Sequence, residues 1–206
     1  LCAVLLLWKG GMLAQLIPEI LGTAEPVPVL AVVGAFTLAS TVDISAPSVS
    51  LEGKNLWIAQ SLPVTAWQIL RAKLLLHVAL AGVPMVFYCI AAAIGLRMTA
   101  VQAILVFVAS IAYVFFSAAL GLALNLKHPS LHWTNENLPI KQSMPVFVCL
   151  LGGWVYSVLV AVAYFAFENP ISATLYLLPI TAVTIAASAA LWLWIYKRGT
   201  KIYETL

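Results

Sequence analysis

Charged side chains are scarce in this chain. Only 8% of its 206 residues are Asp, Glu, Lys or Arg, whereas 64% are hydrophobic. A water-soluble globular domain carries about 25% charged residues, so the composition excludes a soluble globule and indicates an integral membrane protein. The formal net charge is +3, but the ten basic residues are too few and too scattered to form a surface for nucleic acid.

Cysteine is also rare, and its surroundings are apolar. Cys2, Cys89 and Cys149 all lie within apolar runs, where buried, unreactive thiols are commoner than disulfides or metal ligands. The chain begins at Leu1, inside such a run, and we expect it to be a fragment of a longer protein. The alternative, a signal peptide over the first residues, lacks a basic n-region and a small-residue cleavage site.

The sequence has no motif for nucleotide hydrolysis, proteolysis or metal binding. The only Gly-Lys pair is Gly53-Lys54, and Ser48 stands where a phosphate-binding loop requires glycine. Neither His-Glu-x-x-His nor a serine with a supporting histidine base is present. His128 and His132 are four residues apart, but a proline between them disfavours a helix and a third ligand is lacking. We therefore expect no enzyme activity, no cofactor and no metal.

Long apolar runs make up most of the chain. They predict five full membrane spans, over residues 26–42, 74–96, 98–126, 144–167 and 172–196. Residues 1–21 are interrupted by Lys9 and a Gly-Gly pair, so only a partial span is expected there. The predicted fold is an all-α polytopic membrane helix bundle in which residues 1–206 form a single transmembrane domain.

Two polar intervals separate the predicted spans, over residues 45–73 and 127–143. Placing both in the cytoplasm puts eight of the ten basic residues inside, as the positive-inside rule requires. The reverse orientation leaves one basic residue inside. We therefore expect a multi-pass protein of the cell membrane whose polar intervals and C-terminus are cytoplasmic.

The first polar interval contains two predicted short helices. Ser50 is placed to cap the first, with Glu52 in its opening turn, and Pro63 ends it. Thr65 and Gln68 have the spacing of a capping box and begin the second, which runs into the next span. An amphipathic helix joined to a spanning helix can lie on the membrane surface and transmit movement into the bilayer. The interval is therefore interpreted as a coupling segment.

Both polar intervals also carry motifs of a known family. In the first interval the motifs are Leu51-Glu52-Gly53-Lys54-Asn55-Leu56-Trp57, Ser61-Leu62-Pro63-Val64 and Ile69-Leu70-x-x-Lys73. In and beside the second interval they are Asn125-Leu126, Pro129, Trp133, Asn135, Glu136 and Lys141-Gln142-Ser143. The chain resembles bacterial ABC-2-type permeases, in particular the ABC exporters of Gram-positive bacteria, from about Val27 onward.

The resemblance implies the C-terminal half of the permease subunit of an exporter. ATP would be hydrolysed by a separate ABC ATPase subunit, and permease subunits would pair as a dimer in the lipid membrane. The resemblance also implies ATPase-docking residues in both polar intervals: Glu52, Lys54, Trp57, Trp133, Glu136 and Lys141. It does not imply a substrate.

Two alternatives stay open at this point. A secondary transporter is expected to place carboxylates or broken helices near the bilayer midplane, but Asp43, Glu136 and Glu168 fall at ends or in loops. An intramembrane enzyme would need catalytic residues in a missing N-terminal half. His77 is the one ionisable residue clearly inside a span, and a neutral structural histidine is the preferred interpretation over a functional site.

Small residues recur at a spacing of four in several predicted spans. Ala91 with Gly95, and Ser117 with Gly121, are examples. This spacing lets two helix backbones approach closely. We therefore interpret the small and hydroxyl residues of the spans as packing positions rather than as a substrate path.

Overall fold

The computed structural model describes residues 1–131, 133, 135, 137–141, 143–166 and 172–206, with the side chains of Lys54, Leu138 and Lys141 left out. Every regular element within these residues is a helix, and no strand occurs among them. The predicted all-α membrane bundle is therefore confirmed.

In the described part of the chain, five helices are long and apolar enough to cross a membrane. They are α1 (Cys2–Leu21), α4 (Ala66–Gly95), α5 (Ala100–Lys127), α7 (Met144–Phe165) and α8 (Ala173–Trp194). A π-helical turn (Ile195–Gly199) joins α8 to a short α9 (Thr200–Glu204). The remaining elements are α2 (Val27–Ser40), a 3-10 helix (Ser50–Asn55), α3 (Leu56–Ser61) and α6 (Asn137–Lys141).

The predicted number of five full spans is confirmed, but the helix that is too short to span is α2 rather than the one over residues 1–21. A partial span was expected over residues 1–21, whereas α1 is one continuous helix of 20 residues. Lys9 is compatible with it because its exposed side chain extends over the ring of Trp8, 4.9 Å from the centroid. The short element is α2, whose 14 residues extend about 21 Å, less than the ~30 Å hydrocarbon core.

Helix α2 lies in the middle of the bundle, where α4, α5, α7 and α8 all contact it. Nine of its 14 residues are buried. The ring of Phe36 stacks on Tyr113 of α5 with centroids 4.2 Å apart. A helix enclosed by other helices need not match the thickness of the bilayer. The backbone that follows it is surrounded by protein, which can supply hydrogen-bond partners that lipid cannot.

Two glycines face each other where α1 crosses α4. A Cβ atom at Gly10 would lie 2.7 Å from the Cα atom of Gly95, and one at Gly95 would overlap the carbonyl oxygen of Leu6. Side chains at either position would force the two helices apart. The predicted packing role of Gly95 is therefore confirmed, and Gly10 is its partner.

Side chains cap the starts of two helices, and the first of these starts, at Thr65 and Gln68, confirms the prediction from the sequence. Thr65 Oγ1 accepts the N–H of Gln68, whose side chain accepts the N–H of Thr65 at 2.9 Å, so the capping box is complete. Ser172 Oγ accepts the N–H of Leu175 at the start of α8. Local side-chain chemistry is sufficient at these positions because a capping residue and its partner are only three residues apart.

The first helix predicted in the polar interval is wrong in its form. A single helix from Ser50 to Pro63 was expected, whereas the structure has the 3-10 helix followed by α3. The helical path is interrupted at Gly53, inside the 3-10 helix, because this residue adopts φ 50° and ψ −127°, a conformation outside the helical region. Ser50 caps neither helix; its hydroxyl points into the protein, where it contacts Asn125 and Ser130.

The Gly10–Gly95 crossing can be tested by adding one methyl group. Gly10→Ala should lower the thermal unfolding midpoint in detergent micelles, because the added Cβ meets the backbone of Gly95, and overpacking costs about 1–3 kcal/mol. Gly11→Ala is the matched control, since nothing lies within 4 Å of its Cβ position, and better helix propensity should leave it neutral or slightly stabilised. Equal midpoints for the two variants would contradict the crossing.

Candidate functional site

The two polar intervals and the C-terminal helix meet at one end of the bundle. Trp133 Nε1 donates to the carbonyl oxygen of Ser50 at 2.7 Å, which joins the second interval to the first. Tyr203 of α9 donates its hydroxyl hydrogen to Glu52 Oε2 at 3.0 Å. We call the group Ser50, Glu52, Lys73, Asn125, Trp133 and Tyr203 the loop cluster.

An ion pair lies inside the loop cluster. Lys73 Nζ of α4 is 2.8 Å from Glu52 Oε1 and also donates to the carbonyl oxygen of Ser48 at 2.8 Å. Only 16% of the Lys73 side chain and 21% of the Glu52 side chain are exposed. Removing either partner would leave a poorly hydrated charge without its counter-ion, which is strongly unfavourable.

Asn125, near the C-terminal end of α5, holds the start of the 3-10 helix. Its Oδ1 atom accepts the N–H groups of Val49 at 2.7 Å and Ser50 at 3.1 Å, and its Nδ2 donates to Ser50 Oγ at 2.6 Å. Ser50 Oγ also accepts the N–H of Ser130. One fully buried side-chain amide therefore joins α5 to both polar intervals. This role of Asn125 was not predicted, although an amide in the last turns of an apolar span is a signal of one.

The described docking residues predicted from the resemblance fall into two groups. Glu52 and Trp133 face inward: Glu52 is paired with Lys73, and the Trp133 ring would lie 3.0 Å from a Cβ atom at Gly53. Trp57, on α3, is 65% exposed. Glu136 lies outside the described residues, as do the side chains of Lys54 and Lys141. Docking itself stays a prediction.

Residues 41–49 connect α2 to the 3-10 helix through turns and bends rather than a continuous helix, and they fold back into the bundle. Ser45, Ala46 and Val49 are fully buried. A Cβ atom at Gly121 of α5 would lie 2.6 Å from Ser45 Oγ. The predicted Ser117–Gly121 pair is therefore a packing position, and at Gly121 it accommodates this non-helical segment, which we call the inner segment.

His77 anchors the inner segment from α4. Its Nδ1 accepts the N–H of Ser45 at 3.3 Å, so the ring hydrogen of the neutral imidazole lies on Nε2, 3.4 Å from Ser117 Oγ. The Ser117 hydroxyl donates a hydrogen bond to the carbonyl oxygen of Val114 at 3.0 Å. The preferred interpretation of His77 as a neutral structural residue agrees with these hydrogen bonds.

Asp43 belongs to the inner segment and lies beside a cavity of about 180 Å³. Its Oδ2 atom is buried and has no hydrogen-bond partner among the described residues. Asp43 lies outside the five spanning helices, and burial raises the pKa of its carboxyl group to about 7. The prediction that Asp43 follows the end of a span agrees with the structure, because α2 stops at Ser40; the chain then carries Asp43 against α5 and α7.

The described fold is that of a multi-pass helical membrane protein. Residues 13–194 match a family model described as a membrane protein of 12 TMs, and the chain belongs to this family. Neither a curated protein nor a solved structure matches it.

The anchoring role of Asn125 predicts a local effect of its removal. Asn125→Ala leaves the buried N–H groups of Val49 and Ser50 without an acceptor, and each such group costs about 1–3 kcal/mol. We expect faster hydrogen–deuterium exchange over residues 45–53 and a lower unfolding midpoint. Asn55→Ala is the matched control, because Asn55 is exposed and forms no side-chain cap. Unchanged exchange in Asn125→Ala would contradict the anchor.

Proposed function

We propose that the chain is the permease part of an ABC-type exporter and moves its substrate with energy from ATP hydrolysed on a separate subunit. The observation that carries the proposal is the joining of both polar intervals and α9 into one loop cluster at one end of the bundle. The resemblance of these intervals to ABC-2-type permeases supports the proposal, as does the family's polytopic architecture. The motor is thus a separate ATPase, and the permease subunits pair as a dimer.

Three connections would transmit a movement of α3 into the bundle. Gln60 of α3 donates to the carbonyl oxygen of Tyr203 in α9 at 2.8 Å. The Glu52–Lys73 ion pair joins the 3-10 helix to α4. The Thr65 capping box begins α4 only a few residues beyond the end of α3. A force on α3 therefore reaches a helix that crosses the membrane through a connection of only four residues.

Within this proposal, the predicted docking residues have different tasks. Trp57 is the contact for the ATPase, since its ring is largely exposed beside the exposed Ile58. Large aromatic side chains commonly dominate the energy of protein interfaces. Glu52 and Trp133 keep the loop cluster in shape, because their polar atoms are already bonded within the chain. Lys54, Glu136 and Lys141 remain predicted contacts.

A second candidate function is favoured by one observation. A secondary transporter uses ionisable side chains beside broken helices within the bilayer. Asp43 follows the break at the end of α2 and contacts a cavity between helices. Such a protein would transport without a separate ATPase, so association with an ATPase separates the two candidates.

The exporter proposal places the loop cluster in the cytoplasm, because basic residues concentrate at that end. In a variant with Cys2 replaced by Ser, a membrane-impermeant maleimide should label Arg97→Cys in intact cells. Lys201→Cys should react only after permeabilisation; both positions are exposed. Cys89 and Cys149 are buried, so they should add little background. Labelling of Lys201→Cys in intact cells would show that the loop cluster faces the exterior and would contradict the proposed orientation.

Docking predicts that two tryptophan variants behave differently. The tagged chain expressed in its native host should co-purify with a P-loop ATPase and stimulate its ATP turnover. Trp57→Ala should reduce the bound ATPase by about tenfold or more while leaving the unfolding midpoint unchanged. Trp133→Ala should lower the midpoint, because it loses its bond to Ser50 and its contact with Gly53.

Trp8→Ala is the control for removing an exposed tryptophan, since Trp8 on α1 is 74% exposed and remote from α3 in the sequence. It should retain the bound ATPase. Absence of any ATPase from the purified protein would reject the exporter proposal and leave the secondary transporter. An ATPase that is retained by Trp57→Ala would reject only the docking residue.

A further inference from the structure

The cavity beside Asp43 lies between the inner segment, α2, α5 and α7. Its volume is about 180 Å³, and its walls include Ser40, Tyr113, Phe116, Gly153 and Tyr156. A cavity needs only about 10–15 Å³ to hold one water molecule. The space is therefore large enough for a small organic molecule.

Three aromatic rings form one side of this cavity. The centroids of Tyr113 and Tyr156 are 6.0 Å apart with planes 3° from parallel, and those of Tyr113 and Phe116 are 5.9 Å apart. The Tyr113 hydroxyl is 2.7 Å from Ser40 Oγ, and the Tyr156 hydroxyl is 3.2 Å from Thr184 Oγ1. Hydrogen bonds therefore fix both tyrosine rings before any ligand enters, which reduces the entropy lost on binding.

Glycine keeps the cavity open on the side of α7. A Cβ atom at Gly153 would lie 2.7 Å from the Tyr113 hydroxyl and would overlap Ser40 Oγ, whereas one at Gly152 would meet nothing within 4 Å. Any larger residue at Gly153 would displace the Ser40–Tyr113 hydrogen bond. Gly153 therefore preserves the Ser40–Tyr113 hydrogen bond, and Gly152 leaves the space beside it unfilled.

Asp43 is the only formally charged residue among the described residues that line the cavity. The titratable groups facing it are Tyr113 of α5, and Cys149 and Tyr156 of α7; His77 of α4 contacts the inner segment at Ser45. None of these supplies a positive charge, and the buried Oδ2 atom lacks a partner among the described residues. An ionised carboxylate in this position is stabilised only by a cation or a donor that enters from outside.

The lining favours one kind of cation. Aromatic rings around a positive charge attract it through their negative faces, and this is how proteins bind alkylammonium groups. The described residues offer no group of three or more His, Cys, Asp or Glu side chains for a metal ion. We propose that the cavity binds a small alkylammonium cation, with its charge against the Asp43 carboxylate and its alkyl groups against Tyr113, Phe116 and Tyr156. The site requires neither the ATPase nor the docking proposed above.

The test is calorimetric titration of the purified full chain in detergent with tetramethylammonium and choline, at alkaline pH and constant ionic strength. Binding should be saturable, and the uncharged carbon isostere of choline, dimethylbutanol, should bind at least about tenfold more weakly, because it lacks the charge. Affinity should fall as the pH is lowered through about 7, since the neutral acid no longer attracts the cation.

Two variants assign the binding to this cavity. Asp43→Asn should weaken binding about tenfold or more, because a charged partner is lost. Glu19→Gln, the same change at an exposed position on α1, should have no effect. Tyr156→Leu removes one of the aromatic rings of the wall and should also bind the cation more weakly. The unfolding midpoint of each variant, measured on the same sample, identifies any loss of fold.

Four outcomes would overturn the assignment. They are no binding of either alkylammonium, equal affinity for the uncharged isostere, competition by sodium or potassium at the same concentration, and unchanged binding in a folded Asp43→Asn variant. The dimethylbutanol comparison uses the unmodified chain, so the proposal can fail even if Asp43→Asn does not fold.

Discussion

The buried backbone of the inner segment is the constraint on which the rest of the structure depends. Helix α2 ends at Ser40, yet residues 45–47 and 49 are buried in the bundle before the 3-10 helix begins at Ser50. Peptide groups without helical partners cannot remain unpaired at membrane depth. Three polar side chains supply partners from two spanning helices: His77 and Lys73 from α4, and Asn125 from α5.

These three side chains explain why polar residues occur in otherwise apolar helices. Each one bonds to backbone of the inner segment or of the 3-10 helix, and each lies toward the end of the bundle where the loop cluster forms. The same residues therefore solve a folding problem and join the loops to the membrane helices. The loop cluster is continuous with the bundle because the side chains that bond to the inner segment and to the 3-10 helix belong to spanning helices.

Much of this architecture could be predicted from sequence because its causes are local or compositional. Apolar run length predicts the long helices, and the three-residue spacing of Thr65 and Gln68 predicts the start of α4. The enclosure of α2 by other helices could not be predicted, since hydropathy does not distinguish a helix enclosed by protein from one that spans lipid. The roles of Asn125 and Asp43 were missed for a related reason: their surroundings are created by contacts distant in sequence, such as that between Asn125 and Val49.

The inner segment also relates the two sites physically. Asp43 lies near one end of it, at the cavity, and Ser48 lies near the other, where its carbonyl oxygen is bonded to Lys73. Lys73 is at the same time the partner of Glu52. If the 3-10 helix moved and Glu52 separated from Lys73, the hydrogen bond from Lys73 to the carbonyl oxygen of Ser48 would also change. Ser48 is five residues from Asp43. Because the segment has no regular secondary structure to stiffen it, its path is set by these side-chain bonds, and the cavity wall would move with them.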